Sequence, residues 1–524
     1  MSRKGAAVAG KRRAAGRFES RVVLGLVLAG IVGMVVVARL VQVQVIQARS
    51  LKDEARRQQE HRQQLPAARG AILDREGTPL AITLPGNLRE RTEPSRLYPE
   101  GTTGAHVVGF CMADGRGAEG LEERFDELVR GIPGERTVGR DGRGLKFSAS
   151  WGTVQDPKDG ATLHLTLDTT TQSVLERELR RTVERTGARS ASGLFMDPRT
   201  GDILAMGCWP GFDPGRYAAS EWGARRNRIV TDRNEPGSTF KVVTVAAALE
   251  EGLATPSTLL ESSLEMSLAG GSPLHDKEDY GWVTVEETIA QSINTATARL
   301  ARRVGRNRLY EYARAFGFGC ITGIDLPGEV SGTLRRPADW SGRSLESIAI
   351  GQEVSVTMVQ LACAYSSIAN GGLLMKPRIV REVRAPNGSL VRSFRPRAVR
   401  RVISRSTAES LTAMLAAVVC EGTGTEAAIP GLRVCGKTGT AQYVDPRTGR
   451  YDPRRHIASF VGYLPAERPT LVGAIMVEAP RGVGYGGSIA APCFRRVVEG
   501  SILALRQPGE LATVLSNPEE EKAG

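Results

Sequence analysis

The chain has 524 residues, 41% hydrophobic and 24% charged, which is too long for one ordinary core and apolar enough to fold as two or three domains. Its formal net charge of +13 is not a nucleic-acid signature: the first 21 residues alone hold seven Lys/Arg against one Glu, and the other arginines lack interleaved aromatics. The seven cysteines and five histidines are dispersed with no C-x-x-C or Cys/His cluster, which indicates neither a zinc site nor a disulfide framework and argues against a His-based triad.

In chain order, the basic segment 1–21 is followed by VVLGLVLAGIVGMVVVA, seventeen residues without a charge. As a helix this spans about 26 Å, close to the hydrocarbon thickness of a bilayer. Arg39 can snorkel, and LVQVQVI prolongs the apolar run, so 22–45 is read as a transmembrane anchor. The positive flank lies before the span, which places 1–21 in the cytoplasm and the rest outside. A cleavable signal peptide would share this charge order, but a small-x-small cleavage site is missing.

Residues 46–160 are read as a pedestal of short strands and turns, entered through a polar stalk, SLKDEARRQQEHRQQ, and a strand-turn, PAARGAILDREGTPLA. From residue 161 the texture changes. ATLHLTLD alternates as a strand, 171–186 has helical spacing, and ASGLFMDPRTGDILAMG is a hairpin turning at Asp197 to Gly201. Helices are expected over 240–251, 285–304 and 355–369, then strands in RVCGKTGTAQY, ASFVGYLP and TLVGAIMVEAP, and a last helix over 492–505. Strands, then helices, then strands predict an α+β domain over 161–506, with one antiparallel sheet covered by helices. The polar, proline-marked segment 507–524 is expected to be disordered.

Three short patterns carry chemistry. Arginine outnumbers lysine sixty to ten, yet the stretch EPGSTFK has a lysine three residues after a serine. A lysine can surrender its proton when buried, and an arginine cannot. Pro236 and Gly237 make a turn and a helix follows, so Ser238 falls at a helix N-terminus, one turn from Lys241. Taken alone, the pair fits a serine cap and a surface lysine equally well. Ser292-Ile293-Asn294 follows an apolar helical run with no evident reason to turn, and Lys437-Thr438-Gly439 is the only K-T-G of the chain. S-x-x-K, S-x-N and K-T-G in that order are a set with a known mechanism.

With these motifs the chain resembles the class B penicillin-binding proteins, monofunctional peptidoglycan D,D-transpeptidases of bacteria. Its anchor, PAARGAILDREGTPLA, RLYPEGTTGAHVVGF, MDPRTGDILAM and YGGSIAAPCFRRV extend the resemblance over nearly the whole chain, and RNRIVTDRNEPGSTFK is most similar to the septal, cell-division branch. The resemblance implies a penicillin-binding, serine β-lactamase-like domain on the pedestal, and it implies roles. Ser238 would attack the D-Ala–D-Ala carbonyl of a stem peptide, and Lys241 would take its proton, helped by the Lys437 cation. Ser292 would relay that proton, and Asn294 would orient Lys241 and the substrate amide. Lys437 would supply positive potential, Thr438, Gly439 and Thr440 would bind the substrate, and the backbone N–H groups of Ser238 and Thr440 would form the oxyanion hole.

The implied partners are stem peptides, β-lactams, the cytoplasmic membrane, a glycan polymerase and division proteins, with no nucleic acid, metal or cofactor. One departure stands out: only about twenty residues separate the turn at Asp74 from Arg96, where the family usually carries a longer pedestal head. The rival readings are a D,D-carboxypeptidase or β-lactamase of the same fold, and a non-catalytic β-lactam sensor or division scaffold.

Overall fold

The computed structural model describes residues 4–84, 86, 94–140, 146–147, 154–270, 272–444, 451–482 and 484–502; the expected disordered tail lies outside them. Backbone contacts divide the chain into two compact units, residues 1–66 with 133–157, and residues 67–132 with 158–524. In the first, helix α1 runs from Lys4 to Val41, so the described part of the basic segment is helical and continuous with the apolar run. Gly16–Ile46 is long and apolar enough to cross a membrane. The polar stalk is a helix over Ala48–Gln59 that passes into a strand, Glu60–Leu65, paired antiparallel with Gly134–Arg140.

The second unit takes in residues 67–132, which the sequence groups with the pedestal. The reason is a shared sheet: Ile72 and Leu73 pair in parallel with Leu163 and His164, within a six-stranded sheet that also holds Val380–Arg384. Arg69 reinforces this region from inside. Its guanidinium, almost fully buried, bonds Glu122 and Asp126 at 2.6 Å each, and Arg96 reaches Glu122 at 2.7 Å.

The main sheet has five antiparallel strands. In chain order they are β1 (Ser190–Met196), β2 (Ile203–Trp209), β3 (Cys435–Val444), β4 (Tyr451–Leu464) and β5 (Leu471–Glu478). Their spatial order is β2-β1-β5-β4-β3, so β3 is an edge. Alternation along each strand divides the core in two, because successive side chains leave a strand on opposite faces. Phe195, Phe460 and Ile475 pack with α2 (Thr169–Thr186) and the C-terminal helix on one face, while Leu194, Val461 and Val472 join the larger helical cluster on the other. That larger cluster is built on α3 (Lys241–Glu250), α4 (Val285–Ala290), α5 (Asn294–Val304), α6 (Met358–Ala369) and α7 (Arg405–Cys420).

Three helices differ from the sequence expectation. The span 285–304 is not one helix; it breaks at residues 291–293, where Ser292 adopts φ +63°. Helix α6 begins at Met358, because the Thr357 hydroxyl and Gln360 side chain close a capping box there. The last helix, α8, spans Gly486–Ser501 and holds Pro492 in its interior, although Pro492 reads as a helix start. Gly486, its first residue, allows a close approach: a Cβ on it would lie 2.4 Å from the Gly439 carbonyl oxygen.

Candidate active site

Ser238 sits on a single 3₁₀ turn, Gly237–Phe240, that leads directly into α3. Gly237 has φ +53° and donates its N–H to the Gly351 carbonyl at 3.1 Å. Gly351 must lack a side chain, since a Cβ there would fall 2.1 Å from Gly237 O. The next residues are locked inward: Thr239 Oγ1 bonds Pro236 O at 2.7 Å, and the buried Tyr365 hydroxyl donates to Thr239 O at 2.9 Å. Ser238 is left half-buried on the wall of a cleft of about 490 Å³, which His275, Asp276, Lys277, Ser292, Asn294, Thr438, Thr440, Tyr485 and Gly486 also line.

Lys241 opens α3 and is fully buried. Its Nζ donates to the carbonyl of Ser292 at 2.5 Å and to the Ser292 hydroxyl at 3.3 Å. The left-handed Ser292 turn therefore has a purpose: it folds the chain between α4 and α5 so that both of these oxygens face the amine. Burial pulls the pKa of Lys241 down to about 7; Asp276 opposes that shift and Lys277 adds to it.

Lys437 on β3 is also fully buried, with Nζ 3.3 Å from Thr438 O. Burial, then the charges of Lys241 and Lys277, push its pKa well below the usual lysine range. The two buried ammonium groups thus disfavour one another's protonation, and an anion beside them would favour it. The positive charge expected of Lys437 is therefore opposed by its burial and by the two neighbouring lysines.

Asn294 lines the cleft, but its amide donates to His275 O at 2.7 Å and does not bond Lys241. Thr438 Oγ1 meets Thr423 Oγ1 at 2.7 Å, and Thr440 Oγ1 accepts the Gly486 N–H at 3.3 Å. Gly439 is buried away from the cleft lining. A Cβ there would stand 2.4 Å from Ser459 Oγ, 2.9 Å from Thr239 Cγ2 and 3.1 Å from Pro236 O, so the glycine lets β3 touch the serine turn. All three motifs thus meet at one place, the edge strand of the sheet beside the start of α3.

Sequence reasoning missed Asp276. Its Oδ1 accepts Asn294 N–H at 2.5 Å, and its Oδ2 accepts Thr295 N–H at 2.8 Å and the Thr295 hydroxyl at 2.7 Å. The carboxylate caps α5 from a distant segment and pins the S-x-N turn. It also missed Lys277, whose ammonium lies 5.2 Å from the centroid of the Tyr485 ring. Both belong to LHDKEDY, where charge is visible in the sequence but nothing local orders it.

Residues 191–499, more than half of the chain, match the penicillin-binding protein transpeptidase domain. The chain belongs to this family. It is 38% identical over 419 residues to penicillin-binding protein PbpB of Mycolicibacterium smegmatis, covering 77% of this chain and 64% of that protein. To stage V sporulation protein D of Bacillus subtilis it is 36% identical over 412 residues, covering 78% and 64%. The chain thus spans a little under two thirds of the length of these relatives. Among solved structures it is similar to penicillin-binding protein 3 of Mycobacterium tuberculosis complexed with ampicillin, with a TM-score of 0.76, 32% identity, and coverage of 87% of this chain and all of that one. The class B resemblance and the α+β penicillin-binding fold expected from the sequence are both borne out.

Proposed function

We propose that this penicillin-binding protein is a septal-type peptidoglycan D,D-transpeptidase that works through an acyl-serine on Ser238. The observation that carries the reading is a fully buried lysine, titrating near neutrality, one helical turn from a cleft-facing serine and beside the K-T-G strand. The names of the relatives and the ampicillin complex of a similar protein support the substrate class.

In the first half-reaction the Ser238 oxygen bonds to the carbonyl carbon of the penultimate D-alanine, and its proton passes to neutral Lys241. The N–H groups of Ser238 and Thr440 hold the oxyanion. The C–N bond then breaks, and the proton reaches the leaving D-alanine through Ser292, whose hydroxyl lies 3.3 Å from Lys241 Nζ. The terminal carboxylate is the anion that lets Lys437 remain charged, with Thr438 and Thr440 as its hydroxyl partners. In the second half-reaction the amine of another stem peptide attacks the ester carbonyl and yields a proton to Lys241; the C–O bond to Ser238 then breaks, and Lys241 returns the proton to the serine oxygen. Asn294 orients the substrate amide.

The domain reading that goes with this function has residues 1–21 in the cytoplasm, 22–45 as the membrane anchor, a small pedestal, and catalysis outside. A glycan polymerase and division proteins are the expected partners. Incubating the full chain with a D-Ala–D-Ala donor and an amine acceptor should give cross-linked product and free D-alanine by mass spectrometry, with near-stoichiometric acylation by a chromogenic cephalosporin. Fast turnover of that cephalosporin, with no cross-linked product, would favour the β-lactamase reading. Depletion in cells should give filaments; rounded cells would move the enzyme to elongation.

A further inference from the structure

Residues 351–356 form a rail beneath the turn that presents Ser238. Val356 and Asn234 exchange backbone hydrogen bonds of 2.8 and 3.0 Å, and Gly237 N–H reaches Gly351 O at 3.1 Å. Ser355 and Thr333 exchange theirs, at 3.0 and 2.7 Å, anchoring the rail to the next segment. Within it Glu353 has φ +57°. Left-handed backbone is disfavoured for any residue carrying a Cβ, and it persists only where surrounding contacts over-determine it. Of the three non-glycine residues with positive φ among the described residues, Ser292 and Glu353 flank the candidate site, and Ala479 is the third.

Three attachments hold Glu353 in this conformation. Its N–H donates to Glu235 Oε1 at 2.9 Å, and its carboxylate accepts from the buried Ser344 hydroxyl at 2.6 Å and from the Arg335 guanidinium. Glu235 Oε1 also accepts the Tyr451 hydroxyl at 2.8 Å, from the first residue of β4. Glu235 is three residues ahead of Ser238, and the intervening Pro236 and Gly237 are both buried. Burial raises the pKa of Glu235, whereas the Tyr451 hydroxyl and the Glu353 N–H oppose that rise, so both contacts favour its charged form.

We propose that Glu353 is a positioning residue for the nucleophile turn: held by Ser344 and Arg335 in a backbone conformation that glycine would adopt more easily, it fixes Glu235 and thereby aims Ser238. The inference rests on the reading of Ser238 as the acylated serine. The backbone strain is what makes it testable, because glycine at 353 relieves the strain and removes the carboxylate together.

The test is rapid-mixing acylation of the full-length protein in detergent by benzylpenicillin, separating the rate of acylation from the dissociation constant of the preceding complex. Glu353→Gly is expected to melt at or above the wild-type temperature yet acylate about tenfold more slowly, the scale that a small misplacement of a reacting group produces. Its dissociation constant and acylated fraction should stay unchanged. Glu353→Gln keeps an acceptor for Ser344 and should recover most of the rate. Ser344→Ala, a milder change, should lose a few-fold and covers the case in which the glycine variant fails to fold. Wild-type acylation rates in both Glu353→Gly and Ser344→Ala, or a loss confined to the dissociation constant or the active fraction, would overturn the inference. A glutamine variant as slow as the glycine one would do the same. If the wild-type protein itself formed no acyl-enzyme, the serine reading would fall first, whereas a reactive wild type with indifferent variants would remove this inference alone.

Discussion

Lys241→Arg keeps a positive charge and most of the length of the side chain, so it separates a base from a mere cation. Arginine stays protonated at any working pH, and acylation by penicillin should fall by roughly 10²–10⁴-fold, the range for losing a general base. With Lys241 at about 7, only its neutral form accepts the serine proton, so the wild-type acylation rate should rise with pH through a limb centred near 7. Lys437→Arg should lose less, and a permanent charge beside Lys241 should shift that limb to lower pH. Equal losses in the two variants would mean that Lys241 is not the base. Gly439→Ala tests a residue whose role is contact rather than chemistry. Its Cβ would stand 2.4 Å from Ser459 Oγ and 2.9 Å from Thr239 Cγ2, so β3 must move off the serine turn. Overpacking of this kind costs about 1–3 kcal/mol, and acylation should drop at least tenfold while circular dichroism stays native. A normal rate would show that the strand need not touch the turn. The sequence exposed Ser238, Lys241 and Lys437 because lysine is scarce and the motifs are ordered; it hid Asp276 because a cap supplied from another segment leaves no periodic trace.

Periodicity placed most helices and strands, but it missed the break inside 285–304. Helix α2 and the hairpin of β1 and β2 fall where the spacing puts them. The break between α4 and α5 was illegible because no glycine or proline marks it; Asp276 holds it open. Asp276→Ala should therefore slow acylation by about tenfold and cost about 1–2 kcal/mol, as expected for the loss of a helix cap, measured by thermal melting and penicillin titration. A second element reports on pH. The short helix Ala105–Val108 buries His106, whose ring nitrogen lies 2.8 Å from Ala224 O, and Glu176 accepts the Gly104 N–H just ahead of it at 3.0 Å. Burial lowers His106 to about 4 and raises Glu176 to about 7. As the pH falls below 6.5 the unfolded His106 takes up a proton that the folded one refuses, so stability is lost. Between 7 and 4.5 the folded Glu176 is protonated ahead of the unfolded one, so stability is gained. The two oppose each other. Glu176→Gln should make melting more acid-sensitive between pH 7.5 and 5, and His106→Gln less so; the reverse order would contradict these assignments.

At the scale of the whole molecule, the α+β class and the covered antiparallel sheet were readable because strands and helices come in blocks and the strands alternate. The parallel pairing of Ile72 and Leu73 with Leu163 and His164 was not, since a two-residue strand carries no period. If the helix Lys4–Val41 only anchors the protein, deleting residues 1–45 should release a soluble protein that is acylated at the full-length rate, because every residue assigned to acylation lies beyond position 230. A folded truncation that could not be acylated would tie the anchor to catalysis. The central claim, that a single serine at the start of α3 carries the acyl group, is tested most directly by mapping the penicillin adduct by mass spectrometry in the wild type and in Ser238→Ala. One adduct is expected, on the peptide containing Ser238, and none in the alanine variant with its fold and melting temperature intact. An adduct on another residue, or one that persists in Ser238→Ala, would contradict that claim.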